Sequence, residues 1–480
     1  MSNLQVDVAI IGAGTAGLTA RRRALSNGAK RVLMIEGGPY GTTCARVGCM
    51  PSKLLIAAAD VAHEAQNAEL FGLSLPGGLK VDGRAVMQRV QRERDRFAGS
   101  VVASVESMPA EQKLRGLARF VGPTALEVAL EGGGTTRVEA RSVVIAAGSR
   151  PRIPAPLEGL GERVITNEEI FELETLPRSL AVLGTGVIGL ELGQAMHRLG
   201  VRTALFGRSG RLGPIADPDI QATMREVFGA ELDLRLETTL VAAEGTDDGV
   251  ALTWRDAAGE THTETFERVL AAAGRIPNLD RLNLEAAGVE LGERGIPTFD
   301  DRTMQVEDRP IFIAGDITNE RAILHEAADE GRVAGANAAN FPEVRAHCRR
   351  TKLSIVFTDP QIAVVGQPGG PRMCQDGVGE VSYADQGRAR VMGKNHGLVR
   401  VYAREPQTEL MGAEMFGPRV EHTAHLLAWA VQADMSIEQC LQMPFYHPVI
   451  EEGIRTALRD LAANLKLDSK PLPLDCGPGE

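Results

Sequence analysis

The sequence predicts an α/β fold carrying two Rossmann-like dinucleotide-binding domains. Two observations carry that reading: a glycine fingerprint between a strand and a helix near residue 12, and a second copy of the pattern near residue 184. A third adds chemistry. Cys44 and Cys49 follow the first fingerprint, inside Gly41-Thr-Thr-Cys-Ala-Arg-Val-Gly-Cys-Met-Pro-Ser-Lys53. At 480 residues, with 44% hydrophobic and 24% charged residues, the chain has room for about three globular domains.

In the first unit, Leu4 to Ile11 alternates and then turns apolar like a buried strand. Gly12, Gly14 and Gly17 follow, then a helical stretch to Asn27, Gly28 as a stop, and a strand from Arg31 to Glu36. Gly12 and Gly14 allow the turn and the close approach of a pyrophosphate to the helix N-terminus. Gly17 allows helix-on-strand packing, and Glu36 can bind a ribose diol. The alternative is an accidental glycine turn; strand, glycines, helix, strand and terminal acid in order weigh against it.

The cysteines come next. On an undistorted helix, residues five apart have Cα atoms about 8.7 Å apart, beyond the roughly 4.4 to 6.8 Å a disulfide tolerates. A bonded pair therefore requires a departure from ideal helix. Gly48 and Pro51 supply a tightened turn entering a helix that runs through Leu54 to Ala62. Two unpaired core thiols are the alternative. The helix from Met87 to Val105, with Arg89, Arg92, Arg94 and Arg96, reads as a solvated amphipathic face.

The second unit runs from Leu180 through Gly184, Gly186 and Gly189, a helix to Leu199, Gly200, and a strand from Val201 to Phe206. Its strand ends differently. Gly207-Arg208-Ser209-Gly210-Arg211 replaces the expected acid, and no Asp or Glu occurs between Glu191 and Asp217. An acid there would bind the NAD ribose and repel a 2′-phosphate, whereas Arg208 and Arg211 would accommodate it. One charge pair at 4 Å is worth about 1 kcal/mol in water and about 4 near a protein surface, so the arginines imply roughly tenfold to several-hundredfold NADP preference. Solvated surface arginines are the alternative.

Six cysteines are too few for a secreted disulfide scaffold, so the close pair reads as catalytic in a reducing compartment. Residues 1–7 carry no basic or long apolar leader, and no later run approaches a membrane span. A soluble cytoplasmic protein without a membrane partner is expected. A net charge of -11 with no basic stripe argues against a nucleic-acid partner. His422 and His425 lack a third ligand at fixed spacing, so no metal is expected. His347, Cys348 and Cys440 read as structural, and Cys476 as a tail thiol.

With the cysteine motif, both fingerprints and Ala314-Gly315-Asp316 in hand, the chain resembles the FAD-dependent pyridine nucleotide-disulfide oxidoreductases over nearly its whole length. Ala146-Ala-Gly148-Ser-Arg-Pro151 and Ala273-Gly274-Arg-Ile-Pro-Asn278 look like that family's crossings between FAD and nucleotide domains, with Ala147 where Thr is usual. Asp316 matches the acid that meets the flavin's ribityl chain. Phe357 to Gly366 resembles the opening of the dimerisation domain, and His447-Pro-Val-Ile-Glu-Glu452 the family's acid/base dyad, with Val449 for Thr. The implied plan is an FAD domain over 1–150, an NAD(P) domain over 151–275, an FAD return segment over 276–350, and a C-terminal α+β dimerisation domain over 351–480.

The resemblance also implies roles. Cys49 is the flavin-contacting, charge-transfer thiol and Cys44 the interchange thiol. Lys53 pairs with Glu191 beside the flavin. Exchange needs a thiolate nucleophile and a protonated leaving thiol, which His447 supplies, oriented by Glu452. Pro51-Ser-Lys53 and Leu324 to Gly331 look most like dihydrolipoamide dehydrogenases, and Gly207-Arg208 more like NADPH-dependent glutathione and mercuric reductases. The expected protein is a homodimeric enzyme using FAD and NADP(H) or NAD(H) for dithiol/disulfide interchange, with a lipoyl-type substrate and a possible lipoyl-carrying protein partner. One alternative is an NADPH-dependent reductase of a small disulfide such as glutathione disulfide. A low-turnover flavin-binding subunit of a larger redox assembly is another.

Overall fold

The computed structural model describes residues 3–367, 377–404 and 408–467, so Cys476 lies outside the described residues. Strand β1 (Asn3–Ile11) ends in four buried residues because it is covered on both faces. It pairs in parallel with β2 (Val32–Glu36) and with β5 (Thr135–Ile145). Strands β3 (Lys113–Phe120) and β4 (Ala125–Leu130) form an antiparallel meander with β5. The distant strand β16 (Ile311–Ile313) completes this sheet beside β5. Helix α1 (Thr15–Ser26) meets α7 (Leu324–Asn340) at very short range. A β-carbon at Gly331 or Gly335 would stand 2.3 Å from Ala16 O or 2.2 Å from Ala20 O, so only glycine fits.

The chain leaves through β6 (Ser149–Pro151) and returns through its antiparallel partner β15 (Arg275–Pro277). Between them lies a second, parallel sheet. Its spatial order is β10 (Asp233–Arg235), β9 (Arg202–Phe206), β8 (Ser179–Leu183), β14 (Arg268–Ala271) and β7 (Val164–Ile165). Helices α5 (Val187–Arg198) and α6 (Pro218–Glu231) belong to this unit, as does an antiparallel sheet of β11 (Thr239–Thr246), β12 (Gly249–Arg255) and β13 (Thr261–Phe266). The last part of the chain is an antiparallel sheet in the order β17 (Leu353–Val356), β18 (Gln361–Gly366), β21 (Glu409–Gly417), β20 (Leu398–Arg404), β19 (Val378–Ser382). Helices α8 (Gly387–Val391), α9 (Val420–Gln432), α10 (Ile437–Leu441) and α11 (Glu452–Asn464) accompany it.

Helices α2 (Thr43–Val47), α3 (Cys49–Gln66) and α4 (Gly83–Glu106) tie these parts together. Leu55 and Ala59 of α3, Met87 and Val90 of α4, Leu190 and Met196 of α5, and Ile362 and Phe416 of the last sheet share one apolar core. Truncating such a residue, as in Met196→Ala, costs about 2 to 5 kcal/mol. The arginine face of α4 is not uniformly solvated. Arg94 is 8% exposed and paired with Glu172 and Asp95, because the segment around Ile170 packs over that face. Cys440 is buried, whereas His347 and Cys348 are exposed.

Candidate active site

The two glycine loops have nearly the same geometry. Gly12 has φ 108° and Gly184 φ 123°, backbone that L side chains rarely adopt. Their β-carbons would stand 2.2 Å from Ala146 O and 2.3 Å from Ala272 O, and those of Gly17 and Gly189 2.0 and 1.9 Å from the carbonyls of Gly12 and Gly184. These four glycines therefore serve the approach of loop, helix and strand. Gly14 and Gly186 do something else. Each is an extended N-cap without a side-chain hydrogen bond, and a β-carbon on either would meet nothing within 4 Å. The first-turn N–H groups of α1 and α5 are thus left to a ligand, and they suit the pyrophosphates of FAD and of a pyridine nucleotide.

One cavity of about 1360 Å3 joins these two helix starts. Gly14, Cys44, Cys49, Lys53, Gly148, Gly184, Gly186, Glu191, Arg208, Gly274 and Asp316 line it. Gly12, Gly17 and Gly189 lie behind its wall. Glu36 is not part of the lining; its carboxylate accepts from Ala13 N at 2.7 Å and Gly38 N at 2.6 Å, so the end of β2 is tied to the glycine turn. Arg211 is also outside the lining, and its guanidinium donates to Ile215 O at 2.9 Å. Of the two arginines expected at a 2′-phosphate, the structure brings Arg208 alone to the cleft.

The cysteines sit across a break between two helices. Thr42 caps α2 through Ala45 N, and α3 begins at Cys49 with Ser52 N donating to Gly48 O at 3.1 Å. The chain folds tightly at Gly48, where a β-carbon would stand 3.0 Å from Thr43 O and 3.2 Å from Cys44 Cα. The thiols of Cys44 and Cys49 interact across this turn. That interaction, helped by the Lys53 ammonium and opposed by burial, holds the Cys49 thiol down at about 7. The same interaction, reinforced by burial, pushes Cys44 up. The pair accordingly loses its first proton from Cys49, at the first turn of α3.

Lys53 Nζ meets Glu191 Oε2 at 2.7 Å, on the cleft between α3 and α5. The other carboxylate oxygen accepts from Phe357 N at 2.9 Å, and the Phe357 ring lies 4.4 Å from the ammonium. Further along α5, Gln194 exchanges hydrogen bonds with the backbone of Asp359, and Arg198 binds Asp359 O at 2.9 Å and its carboxylate at 3.3 Å. Glu191, Gln194 and Arg198 share one helix face. They clamp residues 357–359 of the last unit beside Lys53 and the cysteine turn.

At the crossing, Arg275 donates to Ser149 and Asn167, and Ser149 Oγ donates to Asp316 at 3.3 Å. Asn167 also donates to Val47 O at 2.8 Å, linking the crossing to α2. Behind Asp316, Gly315 N donates to Glu330 at 2.8 Å. Burial pushes the Glu330 carboxyl up to about 7, against the pull of Gly315 N and Arg349. His447 and Glu452 pair at 3.0 Å, and that hydrogen bond holds Glu452 below the usual carboxylate range. Both lie outside the lining of the cavity that holds the cysteines.

Residues 6–331 match the family described as pyridine nucleotide-disulphide oxidoreductase, and residues 353–458 match that family's dimerisation domain. The chain belongs to this family. As a pyridine nucleotide-disulphide oxidoreductase it is a flavoenzyme whose cofactors are FAD and a pyridine nucleotide. Its curated relatives include dihydrolipoyl dehydrogenase 3 of Pseudomonas aeruginosa, 31% identical over 474 residues, covering 95% of this chain and 97% of that one. The dihydrolipoyl dehydrogenase of Bacillus subtilis is 30% identical over 462 residues, covering 94% and 97%. Among solved structures, LpdA of Mycobacterium tuberculosis superposes with a TM-score of 0.81 at 26% identity, covering 96% of this chain and 99% of that one. The flavoprotein disulfide reductase RclA of Escherichia coli shares the fold with a TM-score of 0.80 at 22% identity, covering 96% and 99%. Among the described residues no helix is long and apolar enough to cross a membrane, and no three His, Cys, Asp or Glu side chains are grouped to hold a metal.

Proposed function

We propose that this oxidoreductase interchanges a lipoyl-type dithiol with the Cys44–Cys49 pair, working as a homodimer. The observation that carries this is the single cavity in which the two cysteines stand between two uncapped helix starts. FAD, when bound, relays two electrons between the nicotinamide and the cysteines.

For oxidation of a dithiol, a substrate thiolate attacks Cys44 of the bonded pair. A mixed disulfide forms and Cys49 leaves as thiolate. The Lys53 ammonium stabilises the departing Cys49 thiolate, which makes it the better leaving group. The second substrate thiol then loses its proton to His447 and attacks the mixed-disulfide sulfur of the substrate. The substrate leaves as a disulfide, and Cys44 receives a proton. Reduction of a disulfide runs the same steps backwards.

The cleft lacks the dyad, so His447 and Glu452 are proposed to reach Cys44 of the partner subunit. Exposed Leu426 and Trp429, three residues apart on α9 of the dimerisation domain, provide an apolar face for that association. Arg208 in the cleft makes NADP(H) at least competitive with NAD(H), and it favours an NADPH-dependent reductase of a small disulfide as the second reading.

Steady-state assays crossing both reduced and both oxidised nucleotides with lipoamide and glutathione disulfide separate the two readings. Lipoamide turnover is expected to dominate; glutathione disulfide dominance would overturn the lipoyl reading. Mixed dimers of inactive Cys44→Ser and His447→Ala chains contain one intact site if the dyad acts across the interface. About half the wild-type activity should then return per mixed dimer. Activity at the level of the parents, in mixed dimers verified by two tags, would refute the shared site.

A further inference from the structure

The end of β9 carries no acid, yet the structure brings one to it from the neighbouring strand. β10 runs parallel to β9 with Arg235 level with Phe206, so the residues after β10 lie alongside the loop after β9. The two segments are stitched together. Gly207 N donates to Arg235 O at 2.9 Å, Thr238 N donates to Gly207 O at 2.9 Å, and a β-carbon at Gly207 would stand 2.9 Å from Leu236 Cδ2. Between these contacts sits Glu237, a non-glycine residue held at φ 56°. A β-carbon at Gly210 would stand 3.2 Å from Glu237 Oε1. Thr238 and Thr239, which follow it, line the cleft together with Arg208 and Ser209, while the exposed Glu237 itself lies just outside that lining.

We propose that Glu237 is a specificity-determining residue for the pyridine nucleotide, acting against Arg208 at the adenosine ribose. This rests on the reading of the second Rossmann unit as the nucleotide site. The carboxylate lies beside Gly210, in the loop that follows β9 and carries Arg208. It accepts from a ribose 2′-hydroxyl and repels a 2′-phosphate, while Arg208 attracts the phosphate. A non-glycine residue kept in left-handed backbone fits a side chain whose direction matters at a functional corner. The two opposed charges make the site tolerant of both nucleotides rather than selective for one.

The test uses FAD-loaded enzyme and two ligands that cannot transfer hydride, ADP-ribose and 2′-phospho-ADP-ribose, with affinities measured by calorimetry. Glu237→Gln should tighten 2′-phospho-ADP-ribose and weaken ADP-ribose, raising the affinity ratio by roughly three- to tenfold at low salt, with the gain shrinking as salt rises. Glu237→Asp should keep the wild-type direction of preference. Arg208→Ala should lower the ratio. If Glu237→Gln leaves both affinities within twofold of wild type while Arg208→Ala shifts them, Glu237 is a bystander and the inference fails alone. If neither ligand binds wild-type enzyme or competes with NADH, the second unit is not the nucleotide site, and that reading falls with the inference.

Discussion

The two Rossmann units place their glycines almost identically yet differ in what surrounds them. Both have a positive-φ glycine against the carbonyl of the residue after a strand, a glycine N-cap at φ -77° or -79° and a third glycine under the loop. The first closes on Glu36, bound by two backbone N–H groups, and its helix α1 buries small alanines against the glycines of α7. The second opens on Gly207 and Arg208, and its helix α5 sends Glu191 to the cysteines and Gln194 and Arg198 to the last unit. The shared part is the geometry for holding a pyrophosphate. What differs, the acid at the strand end and the contacts made with the cysteine turn, lies in residues outside the fingerprint.

The largest expected effect separates the loops themselves. Gly12→Val and Gly184→Val each force a β-carbon onto a backbone carbonyl at a strained φ, a backbone cost of about 1 to 3 kcal/mol, and a loop that shifts to escape it loses roughly fivefold to a hundredfold in affinity. Gly12→Val should release FAD. Gly184→Val should retain FAD, read by its absorbance after gel filtration, and lose reduction by nucleotide. If both variants lose the same ligand, the units do not divide the cofactors.

A smaller effect probes the charge that α5 sends out. Lys53→Met leaves Glu191 acting on Cys49 without its partner, so the thiol should titrate about one unit or more above its value near 7. The depressed thiol contributes stability that is complete above its ordinary value near 9 and is lost as pH falls through about 7, so the variant loses part of that contribution. The pH profile of iodoacetamide modification of reduced enzyme reports the midpoint. An unmoved midpoint would mean that Lys53 does not set it.

Smaller still is an effect peculiar to the first unit. Glu330 carries a raised pKa, so its stabilising contribution is full below about 4.5 and is lost as pH rises through about 7. Glu330→Gln still accepts from Gly315 N but no longer titrates. The difference in Tm between pH 5 and pH 8 should shrink by a few degrees. If the two profiles are parallel, Glu330 does not titrate in that range.

The units and the cysteine turn were legible in the chain because their determinants are local: glycines bounded by strand and helix, and Gly48 between two cysteines. What escaped was set by distant segments. Arg94 reads as one of four arginines on a solvated helix until Glu172, from a separate segment, covers it. Glu237 lies outside the stretch between Glu191 and Asp217 that holds no acid, since β10 returns beside β9 only after α6 intervenes. Arg211 carries the charge expected of a phosphate ligand, but its side chain is bonded to Ile215 O. The grip of α5 on residues 357–359 rests mainly on two backbone amides and a carbonyl, groups every sequence contains and no motif marks, with the Asp359 carboxylate as the one side chain added.

That grip bears on how the protein comes into being. Phe357 follows Cys44 by 313 residues (357 − 44), which at roughly 5 to 20 residues per second is roughly 16 to 60 s of translation. Until then the emerging chain holds both thiols without the amide that shares Glu191 with Lys53. For most of that interval the first sheet also lacks β16. Both cysteines lie in the first tenth or so of the chain, and the amide that balances their neighbourhood follows about three quarters of the way along it.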